Sequence, residues 1–168
     1  MVGVSKWRRR IGTRDAFVLV GFVLLVNAIG AAPGVLFTPD TEWFRSLEKP
    51  WFYPPEIAFP VVWTLLFTLL ALALFLIWRR GIDRGPVRVA LAAFVLQFAV
   101  NVAWTPVFFG LERPLAALGV IALLWVLVLA TVAAFARVDR RAAALLVPYL
   151  LWVSFATVLN YSLWALNA

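Results

Sequence analysis

The 168-residue chain has no cysteine, no histidine and a single methionine. The lack of cysteine excludes disulfides and thiolate nucleophiles, and the lack of both excludes zinc sites of the usual kinds and the histidine ligand of most haem proteins. Charge is scarce as well: only 14% of the residues are charged, against 65% hydrophobic. Residues 16–39, 57–78, 89–111, 114–136 and 142–168 contain no Asp, Glu, Lys or Arg. Without His, Cys or an ionisable group in those windows, a proton relay, a charge-coupled pump, a hydrolase and a metal enzyme all lack their working groups. No metal site is expected.

Each window is long enough to cross a bilayer as helix, which takes roughly 20 residues. The sequence therefore predicts an all-α, polytopic membrane protein. It forms a single domain over residues 1–168, one bundle of five transmembrane helices at about 16–37, 57–78, 89–109, 114–136 and 142–166, with one long loop at 38–56. The first span has a basic lead and an apolar stretch reaching Gly30-Ala31-Ala32, a pattern shared with secretory signals, but its charge-free stretch continues to Pro39 and it is read as a helix.

Twelve basic residues fall on one side if the spans alternate: Lys6, Arg8, Arg9, Arg10, Arg14, Arg79, Arg80, Arg84, Arg88, Arg137, Arg140 and Arg141. Arg45, Lys49 and Arg113 fall on the other. The bias predicts a cytoplasmic N-terminus, an outside C-terminus and the long loop outside. The net charge of +7 is split among three juxtamembrane clusters, so anionic headgroups rather than nucleic acid are its expected partner. Asp40, Glu42, Glu48 and Glu56 in the long loop read as solvated acids more readily than as an acid–base set.

Ten prolines punctuate the chain. Pro60 and Pro114 sit at helix starts, where a missing N–H costs little. Pro33, Pro106 and Pro148 fall inside spans and predict bends or local unwinding. Gly30 and Gly34 form a GxxxG, a spacing that allows close helix approach within the fold or across a dimer. The one internal echo is Trp63-Thr64-x-x-Phe67 against Trp104-Thr105-x-x-Phe108.

Of nine tryptophans, Trp7, Trp78, Trp43, Trp51 and Trp164 lie near predicted interfaces, where aromatic belts occur. Trp104, Trp125 and Trp152 fall near mid-span. Gln97, Asn101 and Trp104 share one helix face at i, i+4, i+7, and Trp152, Ala156 and Asn160 repeat the pattern with Tyr161 alongside. Polar groups at that depth either join neighbouring helices or line a cavity. Together with central indoles they predict an aromatic pocket for a large, flat, mostly apolar ligand.

The segments "WFRSLEKPWFYPP", "FPVVWT", "QFAVNVAWTPVFFG" and "VPYLLWVSFATVLNY", in this order, resemble the translocator protein or tryptophan-rich sensory protein (TspO/MBR) family, the peripheral-type benzodiazepine receptors, across roughly residues 17 to 165. The resemblance implies a five-helix bundle, often a homodimer, that binds porphyrins, sterols and benzodiazepine-type ligands under a lid formed by the first loop. It carries ligand contacts to Phe52, Pro54, Asn101, Trp104, Trp125, Trp152 and Ala156, and a family Asn-Tyr pair near the sterol-associated end to Asn160 and Tyr161; Gln97 and Trp51 join the candidates. It leaves a receptor or sensor, a tetrapyrrole or lipid transporter, and a light-dependent porphyrin-degrading enzyme as rival roles. The family's lid "KPxW" reads Lys49-Pro50-Trp51-Phe52 here, so photo-oxidation would fall to Trp152 and Trp51. No Lys or Arg follows Tyr161 within five residues, so the family's cholesterol motif is incomplete. No cofactor is required; porphyrin or haem is a possible ligand. Since Tyr53, Tyr149, Tyr161 and Met1 are the remaining candidates for an iron ligand, metal-free porphyrin should bind about as well as haem.

Overall fold

The computed structural model describes residues 12–168. Met1, Lys6, Trp7, Arg8, Arg9 and Arg10 lie outside the described residues. All five charge-free windows become helix, because in hydrocarbon each backbone N–H and C=O needs a partner within its own segment. Helix α1 runs Thr13–Leu36, α3 Ala58–Trp78, α4 Gly85–Thr105, α5 Pro114–Ala136 and α7 Val147–Leu166; the short α2, Glu42–Ser46, lies in the long loop and α6, Arg140–Leu145, precedes α7. No strand occurs among the described residues, and five segments are long and apolar enough to span a membrane.

The third span begins at Gly85, four residues before its first charge-free position, because Pro86 opens the helix at Arg84's cap and Arg88 is exposed on the first turn beside the buried Val87. The fifth span is two helices instead of one. The chain breaks at Leu146, and Pro148 starts α7 in the first turn, where its missing N–H is harmless. Pro106 has a larger effect. It cannot donate to the preceding turn, so the helix widens into a π segment, Pro106–Gly110, closed by the Leu111 N–H donating to the Pro106 carbonyl at 2.9 Å. Pro33, by contrast, is buried inside α1, which continues to Leu36.

The helices close a ring in the order α1, α3, α7, α5, α4, with α6 wedged between α3 and α5. Gly30 of the GxxxG permits the α1–α3 contact: a Cβ there would lie 2.5 Å from the Phe67 ring, whereas Gly34 has nothing within 4 Å. One end of the ring carries the arginines. There Arg79 of the α3–α4 turn pairs with Asp15 of α1 at 3.5 Å, and Arg80 pairs with Asp139, which caps α6. Burial opposes the charge on Asp139, but hydrogen bonds from the Arg80 side chain and the Arg141 and Ala142 amides outweigh it and hold the carboxyl below its usual range. Gly81 makes the adjoining turn at φ 97°, a conformation that suits glycine.

The long loop covers the opposite end. Thr41 caps α2 by accepting from the Phe44 N–H at 3.1 Å, and Arg45 pairs with Asp40. Phe44 turns inward and is 5% exposed. The Lys49 ammonium sits 4.8 Å above the Phe44 ring and 5.1 Å above that of Tyr53, tying the loop to itself by cation–π attraction. Asn167, just past α7, then joins the loop to the bundle: its Oδ1 accepts from the Glu48 N–H at 2.9 Å and its Nδ2 donates to the Glu48 carbonyl at 3.0 Å.

Candidate ligand-binding cavity

Beneath the loop, α3, α4, α5 and α7 enclose a cavity of about 70 Å³. Its walls are aromatic: Phe59 and Trp63 from α3, Trp104 from α4, Phe108 and Phe109 from the π segment and Trp152 from α7, roofed by Phe44 and Tyr53. The π widening explains how the consecutive residues Phe108 and Phe109 both reach the wall. Tyr53 is partly buried, and that burial, reinforced by the nearby Glu56 charge, pushes its phenol up to about 12, so it stays neutral.

The two halves of the sequence echo build matching walls. Trp63 stacks on Phe67 at 5.2 Å and 29°, and Trp104 stacks on Phe108 at 5.0 Å and 26°. The Trp104 indole is locked: it donates to Asn160 Oδ1 at 3.0 Å, and Asn160 Nδ2 donates to the Pro114 carbonyl at 2.9 Å. Asn160 thus stitches α4, α5 and α7 together. The Trp152 indole lies edge-on to Trp63 at 6.5 Å and to Phe59 at 6.1 Å, and its buried N–H has no partner among the described residues. In a wall of carbon, that N–H can serve a ligand acceptor.

Of the candidate contacts read from the sequence, Trp104, Trp152, Ala156 and Asn160 meet on this wall. The others do not. Gln97 and Asn101 share the Trp104 face but lie deeper, where the Tyr149 hydroxyl donates to Gln97 Oε1 at 2.9 Å and accepts from Asn101 Nδ2 at 3.0 Å. They fix α4 to α7 behind Trp63, whose ring is edge-on to Tyr149 at 6.3 Å. Tyr149 is fully buried in this network. Trp125 faces outward from α5 and donates to Ser154 Oγ at 2.8 Å. Phe52 packs on Phe155 at 6.3 Å, outside the wall, and Pro54 is also off it. Trp51 is 95% exposed and Tyr161 53% exposed, and both line a separate groove on the outer flank of α7. The reason lies in the turn in which the Tyr53 N–H donates to the Pro50 carbonyl at 2.9 Å: Tyr53 goes under the loop and Trp51 to its surface.

Phe44, Tyr53, Phe59, Trp63, Phe108 and Phe109 were not singled out as contacts by sequence. The repeated Trp-Thr-x-x-Phe was the signal for Trp63 and Phe108; the loop rings carry no periodic signal.

Residues 22–165 match the model of the TspO/MBR family. The chain is 44% identical to the tryptophan-rich protein TspO of Chlorobaculum tepidum, over 85% of this chain and 91% of that one. It is 42% identical to the tryptophan-rich sensory protein of Cereibacter sphaeroides, over 87% and 90%. Its identity to the human translocator protein is 36%, over 88% of this chain and 89% of the human one.

Proposed function

Because the chain belongs to the TspO/MBR family, we propose that this multi-pass membrane protein acts as a receptor or sensor, binding porphyrins or other flat hydrophobic molecules of sterol or benzodiazepine type in the aromatic cavity beneath the loop. The observation that carries this reading is the unpartnered Trp152 N–H on a wall of aromatic and aliphatic side chains. Stacking on Trp63, Trp104 and Trp152 supplies affinity for a flat ring system, and the Trp152 N–H supplies orientation toward an acceptor such as a ring nitrogen or a carbonyl.

A cavity of about 70 Å³ is far below the ~300–1,000 Å³ of sites for drug-sized ligands. Binding therefore requires the loop to lift and the rings to part. The loop is the part that has to move: it is held to the bundle by Asn167 and by Trp43, Phe44 and Phe52 packing on Phe108, Phe109 and Phe155. In this reading the arginine-rich end faces the cytoplasm and the loop faces outside, following the bias of basic residues.

A second reading, light-driven porphyrin breakdown, is favoured by the three indoles on the wall. Trp152 is then the oxidised group, with Trp63 rather than the outward Trp51 as its neighbour. The test is a titration of the purified protein with metal-free porphyrin, following tryptophan fluorescence in the dark and then porphyrin absorbance under light. Saturable quenching with no bleaching supports a receptor. Protein-dependent bleaching that is lost in Trp152→Phe moves the enzyme reading forward, and unsaturable quenching overturns both.

A further inference from the structure

The groove on the outer flank of α7 is larger than the cavity, about 350 Å³ against 70 Å³, and its chemistry is different. Glu48, Lys49, Pro50 and Trp51 form one bank, and Tyr161, Ser162, Ala165 and Leu166 form the other. Glu48 and Lys49 are opposite charges on adjacent residues, yet neither has an ion-pair partner among the described residues. The Asn167 clamp uses only the Glu48 backbone, so the carboxylate stays available. The Lys49 ammonium is held over the Phe44 and Tyr53 rings, which bind one side of the cation and satisfy none of its charge by an anion. Beside these charges stand a nearly fully exposed indole and a half-exposed phenol. The Ser162 hydroxyl donates to the Val158 carbonyl at 2.9 Å, leaving its oxygen as an acceptor.

We propose that this groove seats the zwitterionic headgroup of a membrane phospholipid, with its phosphate at Lys49 and its ammonium at the Glu48 carboxylate and the Trp51 and Tyr161 rings. A cation and an anion side by side complement a headgroup that carries both signs, and exposed aromatic faces attract an ammonium. The groove lies where α7, an apolar span, ends, which is where lipid headgroups are expected, and Ala165 and Leu166 at that end are exposed. A purely anionic headgroup would meet Glu48 as a like charge, and a ligand without charge would use neither residue.

Native mass spectrometry of protein released from bilayers containing equal phosphatidylethanolamine and phosphatidylglycerol tests the proposal. Trp51 is exposed and Glu48 contributes only its backbone to the fold, so Trp51→Ala and Glu48→Gln should keep the helical content, which circular dichroism checks. The expected result is one retained phosphatidylethanolamine per wild-type chain. Its occupancy should fall about fivefold in either variant, corresponding to the ~1 kcal/mol of an exposed cation–π or charge contact, while retained phosphatidylglycerol stays unchanged. Unchanged phosphatidylethanolamine retention in both variants overturns the proposal. So does a parallel loss of both lipids in Trp51→Ala, which would make the groove a general acyl-chain contact.

Discussion

The indole N–H of Trp104 donates to the amide oxygen of Asn160 at 3.0 Å, and through that one side chain the wall of the cavity is tied to the start of α5. Replacing Asn160 with leucine strands the Trp104 N–H and removes the tie to the Pro114 carbonyl. Each buried orphan costs about 1–3 kcal/mol. Asn160→Leu is expected to lower the apparent melting temperature in detergent and weaken porphyrin binding, whereas Ser162→Ala, one turn-face away, should change neither. Differential scanning fluorimetry and the dark titration read the two effects.

Asn167→Ala removes both hydrogen bonds that hold Glu48 to the bundle. The loop then opens more often, so porphyrin association should become several-fold faster, with dissociation rising as well. Stopped-flow quenching measures both rates. An unchanged association rate would show that ligands enter by a route that does not involve this loop.

The GxxxG separates into two unlike glycines. Gly30→Ala drives a methyl into Phe67, which is buried between Trp63 and Phe98 and cannot swing away. The expected loss is about 1–3 kcal/mol. Gly34→Ala meets open space and should be neutral or stabilising by up to ~1 kcal/mol. Comparing melting temperatures of the two variants checks the assignment. If Gly34→Ala instead dissociated a dimer, the second glycine would belong to an interface between chains.

At the arginine-rich end, Asp139 accepts from Arg80 Nε at 3.0 Å and caps α6. Asp139→Asn keeps a capping residue but removes the charge, for an expected loss of about 1.5–3 kcal/mol. The carboxyl titrates below its ordinary value of 3.8 in the folded chain, so the folded state binds this proton less readily than the unfolded one. Its stabilisation is thus complete above that ordinary value and lost as pH falls through the depressed one. Melting temperature should drop more steeply below about pH 4 in the wild type than in Asp139→Asn.

The five spans were legible because a bilayer excludes charge and the chain obeys that rule in every window. The breaks at Pro106 and Pro148 were legible too, since a proline in mid-span has few ways to be accommodated. Depth was harder to read. Gln97, Asn101 and Trp104 lie on one helix face as their spacing requires, but the cavity starts only at Trp104, and the two amides are tied to Tyr149 instead, with Gln97 Nε2 left without a partner among the described residues. Nothing in the sequence around Tyr149 announces that its hydroxyl will reach α4. The loop was harder still. Trp51, Phe52 and Tyr53 are consecutive rings that go to the groove, to Phe155 and to the cavity roof, and the turn at Pro50 rather than any periodicity distributes them.

The central claim is that flat aromatic ligands bind at the wall formed by Trp152 and not at the outward face of α5. It is tested most directly by titrating metal-free porphyrin in the dark into wild type, Trp152→Ala and Trp125→Phe, with circular dichroism to confirm equal folding. The account predicts saturable quenching in wild type and Trp125→Phe with similar affinity, and a loss of about tenfold or more in Trp152→Ala, the ~1.4 kcal/mol of one lost aromatic contact. Equal affinity in all three, or a loss confined to Trp125→Phe, would contradict it.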